Sequence, residues 1–130
     1  MSATDYIRQK SEANLHSNWT TTPVAFDGIE FDSTAQDRWI RHTLLTGDSF
    51  QNALPSCVRH TGIVSIEVFT EQNAGTKPAY DLADAANALY QLKNIGGIHF
   101  RQGSVNRVGH VDDYYKLTVF IPYQYDEVIT

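Results

Sequence analysis

Five histidines, one cysteine and a pair of adjacent aspartates are the side chains in this sequence best suited to chemistry. His16, His42, His60, His99 and His110 are of a type that serves as metal ligand or general base. No His-x-x-x-His pair and no Cys-x-x-Cys occurs, so the strong zinc signatures are missing and no metal is expected. His42 and His60 fall on segments that read as a strand hairpin, which would make them neighbours on a sheet. Two half-exposed histidines are the ordinary outcome there. Cys57 precedes His60 by three residues, and in a strand i and i+3 face opposite sides. The thiol therefore reads as a buried structural group. Asp112 and Asp113 also point to opposite faces, so they cannot work as an acid–base pair on one substrate; a solvated turn explains them. There is no Gly-x-Ser-x-Gly elbow. Gly75-Thr76-Lys77 matches part of a phosphate loop but lacks its first glycine and its Gly-Lys-Ser/Thr order. Gly96-Gly97 has no helix after it. No catalytic residue and no cofactor is expected.

Composition narrows the classes further. At 130 residues the chain is long enough for one sizeable core, and a single domain over 1–130 is expected. Apolar content of 42% and charged content of 19% are ordinary for a globular protein. A formal net charge of −5 argues against phosphate-driven nucleic-acid binding, which needs a basic face, though it leaves room for a small basic patch. One cysteine cannot close an internal disulfide. With no charged-then-apolar leader at the N-terminus, the expectation is a cytosolic protein. No apolar run approaches the ~18 residues of a membrane span.

The elements that must position these residues centre on Cys57 to Leu92. Val58, Val64, Ile66 and Val68 share one parity, and Arg59, Thr61, Ser65, Glu67 and Glu71 the other, so this is a strand with one buried face. Gly62 interrupts it and reads as a bulge. From Pro78 to Leu92, the residues Ala79, Leu82, Ala83, Ala86, Leu89 and Tyr90 form one helical stripe. Thr76 and Pro78 mark its start; Lys93 and Gly96-Gly97 mark its stop. Before the centre, residues 3–16 read as a helix capped by Ser2 or Thr4, with Ala3, Ile7 and Leu15 on one face, interrupted by Ser11 and Asn14. Val24 to Phe26 reads as a short strand ended by Asp27-Gly28, and Phe31 to Asp37 as a loop. Trp39 to Leu45 is a strand with Ile40, His42 and Leu44 on one side and Trp39, Arg41 and Leu45 on the other. Thr46 to Ser56 reads as a long connection. After the second helix, Ile98 to Val111 holds one or two short strands, with Val105 and Val108 buried. The last strand alternates Tyr115, Leu117, Val119, Ile121, Tyr123 and Tyr125 with Lys116, Thr118, Phe120, Pro122 and Gln124. Pro122 lacks an N–H and belongs at a sheet edge or past the last pairing. The order α-β-β-β-α-β-β predicts an α+β domain: an antiparallel or mixed sheet of about four to five strands, with two helices on one face.

That layout leaves apolar groups without an obvious home. Phe50 and Leu54 lie in a connection that should be wet; they either tuck back onto the sheet or dock on a neighbour. The last strand is aromatic on both faces, and only one can pack under the helices. The other, with Phe120, Phe69 and Ile63, would be apolar where a monomer should be polar, unless loops cover it. Aromatic rings are favoured at interfaces. Phe50, Leu54, Phe69, Tyr114, Phe120, Tyr123 and Tyr125 are therefore the expected contact residues.

Taken together, the chain resembles the tail terminator proteins of long-tailed bacteriophages. The matching segments are the first helix (Asp5 to His16), Pro23 to Gly28, Trp39 to Leu45, Thr61 to Phe69, the Ala-rich helix after Gly75 and the aromatic closing strand. The resemblance implies a non-enzymatic virion part with an α+β fold, found in the virion tail after assembly in the bacterial cytoplasm. It implies a ring of identical copies, usually a hexamer and monomeric when free, that ends tube polymerisation and meets a tail tube protein and a head connector. A sixfold ring would carry −30, six times −5, and would repel the DNA passing through it, with no specific nucleic-acid binding. Two rivals remain: another head–tail joining component of the same architecture, and a small enzyme or ligand-binding protein using the sheet face near His42 and His60.

Overall fold

A computed structural model describes residues 2–51 and 56–129. The first helix, α1, runs Ala3–Asn18, with the Ser2 side chain accepting from the Asp5 amide at 3.1 Å. Its buried face is Ala3, Ile7, Ser11 and Leu15. The two polar residues that break the stripe turn out to be ties. Ser11 reaches His42 at 2.7 Å, and the Asn14 amide donates to the Leu89 carbonyl at 3.0 Å, joining helix to helix. Strand β1 (Val24–Phe26) follows, then a 3-10 turn at Ser33–Ala35, then β2 (Trp39–Gln51) and β3 (Cys57–Glu71). Helix α2 spans Lys77–Ala88 and buries Ala79, Leu82, Ala83 and Ala86. Small side chains let it lie close to β3 and β7, the strand it crosses at Tyr114–Val128. Between them come β4 (Asn94–Ile95), β5 (Ile98–Phe100) and β6 (Ser104–Val111).

The result is α+β, with two helices against a mixed sheet of seven strands rather than the four to five expected. The order is β1-β2-β3-β7-β5-β4, with β6 also pairing β7. β1 is parallel to β2; the other pairings are antiparallel. Parity then sorts the side chains. Ile40 pairs Val68, and Val68 pairs Leu117. With Ile66, Val64, Val119, Ile121 and Tyr90, these build the main core under the helices.

Five local expectations are corrected. Thr46 to Gln51, expected as part of a connection, is strand: pairing continues to Gln51 opposite Val58, past an irregularity between Thr46 and Ser49. The bulge thus lies on β2 rather than at Gly62. Gly62 is needed for a different reason, since a Cβ there would overlap the Tyr123 hydroxyl and the Leu45 carbonyl. We expect Gly62→Ala to cost about 2 kcal/mol, because backbone blocks one side of the added methyl. A fall in urea midpoint at constant m is the check, and an unchanged midpoint would mean that the strands part freely. Gly96-Gly97 does not stop α2. Both residues have positive φ (61° and 87°) and form the two-residue turn between β4 and β5. Leu92, at φ 59°, turns the chain after the helix. Pro122 lies mid-strand in the interior of the sheet, opposite Ile63. Its carbonyl accepts from the Arg101 amide at 2.8 Å, on the side where β6 has ended and β5 not yet begun. In an antiparallel strand the N points to the same side, so the missing N–H falls in that gap. Finally, Val108 is 48% exposed, at the register shift between Arg107 and Gly109; Ile98 and Phe100 are the buried members of this region.

Candidate functional site

The face of the sheet away from the helices was expected to be open and apolar. Part of it is closed by the chain itself. Trp39 stacks on Phe69 directly across the β2–β3 pair, with centroids 4.0 Å apart and planes 8° off parallel. Phe31 and Tyr114 pack against the pair, and Ala25 completes this second core. The Tyr114 hydroxyl lies 2.6 Å from the Ser33 carbonyl and 2.8 Å from that of Gln36, which pins the 27–37 loop over the rings. Arg41 and Lys116 lie over Trp39 and Phe69.

The expected contact residues therefore separate. Phe69 is buried in the second core and Tyr114 is half-buried against it. Tyr123 is buried in the main core, and Tyr125 is half-buried on the helix face, beside Tyr6 and His60. These four rings are engaged within their own chain, because Tyr123 and Tyr125 share parity with Leu117 and Phe69 finds Trp39. Leu54 lies outside the described residues. Phe50 is 48% exposed on the β2–β3 arm. Phe120 is half-buried on the far face, opposite Ser65 and Ser104. Beside it runs a row that sequence reasoning only partly found: Leu45 opposite Ile63, and Ile63 opposite Pro122. Leu45 is 45% exposed, and the row borders a shallow groove of about 500 Å³ that also touches Arg101 and Gln124.

The histidine site does not form. His42 is opposite Ile66 and His60 opposite Ser49, six residues apart along β3, or about 20 Å. His42 is fully buried between α1 and the sheet; burial pushes its pKa down to about 4, and Nδ1 has no partner among the described residues. His60 is bracketed by the Ser49 hydroxyl at 2.8 Å and Glu127 at 3.0 Å. This hydroxyl–imidazole–carboxylate series spans β2, β3 and β7 beyond the helices. Arg59 and Asp126 do the same across β3 and β7 on the other face, at 2.8 Å. Both are polar cross-strand contacts that tie together an arm with little core under it. Among the described residues no group of three metal-ligating side chains gathers, and no helix is long and apolar enough to cross a membrane.

The geometry defines an α+β domain with helices on one face, a loop-capped aromatic core on part of the other, and a shallow apolar strip beside it. The chain belongs to the phage tail terminator protein family, whose model matches residues 6–123. Two solved structures share the fold. One, with no function stated, is 18% identical over 95% of this chain and 96% of that chain, with a TM-score of 0.72. The other belongs to the virion of a native gene transfer agent particle; it is 14% identical over 98% of this chain and 100% of that chain, with a TM-score of 0.69. No curated protein matches the sequence.

Proposed function

We propose that this chain caps the completed tail tube of a phage, or of a related particle, as a ring of identical copies. In this reading it ends tube polymerisation and offers the surface to which the head connector joins. It acts as one domain, without catalysis or cofactor, in the bacterial cytoplasm during assembly and then in the virion tail. The observation that carries the reading is the family match along nearly the whole chain. The far sheet face supports it: Leu45, Ile63, Pro122 and Phe120, with Phe50 on the arm, are the residues we assign to contact with other protein, and Leu54 is assigned with them from the sequence alone. The six-copy count is part of the proposal, as are the tube and connector partners. An acidic bore would let DNA pass without binding it.

The test is genetic and visual. In a host producing the particles, loss of this chain should give overlong tubes and heads without tails. Leu45→Glu with Ile63→Glu should reproduce that phenotype while the purified variant keeps its circular dichroism. Tubes of normal length joined to heads in the deletion strain would rule the proposal out.

A further inference from the structure

The two outermost segments of the sheet carry opposite charge. At the β1 edge, the loop 27–37 holds Asp27, Glu30, Asp32 and Asp37 and no lysine or arginine. All four acids are exposed. At the other end of the strand order, the segment 92–102 around the β4–β5 hairpin holds Lys93, His99 and Arg101 and no carboxylate. These three are exposed too, and Lys10 of α1 lies close to the hairpin's Gly96. Each edge also shows one large aliphatic side chain to solvent: Ile29 is 67% exposed and Leu92 75% exposed. Of the nearby opposite charges, Arg38 is bound by Glu71, Arg41 lies over the Trp39 ring, and Asp126, beside His99, is bound by Arg59.

We infer that the partner of each edge is the opposite edge of a second copy: the Ile29 loop of one copy seats against the Leu92 hairpin of the next. The inference rests on the ring reading and deepens it. The two patches differ, so the contact is heterologous, and repeated head to tail it either closes a ring or extends a filament. An aliphatic centre within a charged rim is the usual anatomy of a protein contact, and like-charged edges repel, which sets the direction of assembly. Ile29 and Leu92 are both exposed and stand towards the two ends of the strand order, on either side of the β2–β3–β7 strip assigned to the tube.

Cysteines placed by Ile29→Cys and Leu92→Cys in a Cys57→Ala background test the contact, with diamide as oxidant. A ladder of disulfide-linked multimers is expected from the double variant, alone or on tail tubes. Either single variant should give none above a dimer, since bridging requires Cα atoms within about 7 Å. Independently, Lys93→Glu with Arg101→Glu should weaken self-association about tenfold, and adding Asp27→Lys with Glu30→Lys should restore most of it. Rings seen by electron microscopy without either effect would sink this contact and leave the ring reading intact. Absence of any self-association, on tubes or off, would sink both.

Discussion

Trp39→Ala is expected to cost about 4 kcal/mol, the range for emptying a buried tryptophan site. The loss should show as a lower urea midpoint and as proteolysis within residues 27–37. Trp39 is 4% exposed, and every large member of the second core touches it: Phe69 in a flat stack, Phe31 tilted and Tyr114 edge-on. Removing the indole leaves Phe69 facing a cavity and deprives the 27–37 loop of the surface on which it rests. Among the described residues, the Tyr114 hydroxyl would then be the remaining side-chain hydrogen-bond tie on that loop. Trp39→Phe should behave differently. The buried Nε1 has no partner among the described residues, so the smaller ring removes an orphan donor along with some contact area. A loss of about 1 kcal/mol is expected, with the loop still protected. Similar costs for the two variants would mean that the stack contributes little and the loop is held elsewhere. If the edge contact is correct, Trp39→Ala should also weaken assembly, because it frees the loop that carries Ile29.

Much of this was legible in the chain, and the reasons differ by element. Alternation in Trp39–Leu45, Val64–Val68 and Tyr115–Ile121 fixed the main core, because helices cover one face of each strand and force a period of two. The alanine stripe of α2 worked for the same reason. The arm was not legible: Thr46 to Gln51 pairs through backbone and polar side chains, which leaves no hydrophobic period to read. The second core rests on only a few rings, and Phe31 gave no sign in a polar loop that it would reach Trp39. Tyr123 and Tyr125 were a different kind of miss. Their parity with Leu117, Val119 and Ile121 already placed them under the helices, and their ring chemistry drew them wrongly to the outside. The Gly96-Gly97 pair was ambiguous by nature, since two glycines serve a helix stop and a two-residue hairpin equally well. The far-face strip needed register: Leu45, Ile63 and Pro122 sit in three separate segments and become one row only when β2, β3 and β7 are aligned.

Acid should destabilise the protein through His42, before most carboxylates titrate. The folded pKa is about 4, against the ordinary 6.5. Burial is the cause, and the negative charge of Asp27 offsets it only in part. Between these values the unfolded chain binds a proton that the folded chain refuses, so stability rises with pH there. The contribution is complete above about pH 6.5 and is lost as pH falls towards 4. A separation of this size amounts to about 3 kcal/mol, of which about 2 should be gone by pH 4.5. The neutral ring is held by Ser11 and packed near Phe26 and Tyr90, with no carboxylate among these contacts to neutralise an imidazolium. Asp32, Glu71 and Asp126 also lose stability in acid, because Thr34, Arg38 and Arg59 hold their pKa values below the usual range. A variant that removes this titration and leaves the carboxylates in place isolates its share. Ser11→Ala with His42→Leu takes away both polar partners together, so little should be lost at pH 7. Urea titrations at pH 7 and 4.5 should then differ by about 2 kcal/mol less in the double variant than in the natural protein. An equal acid loss in both would show that the imidazole takes up its proton inside the folded core, with water or a shifted α1 to receive it.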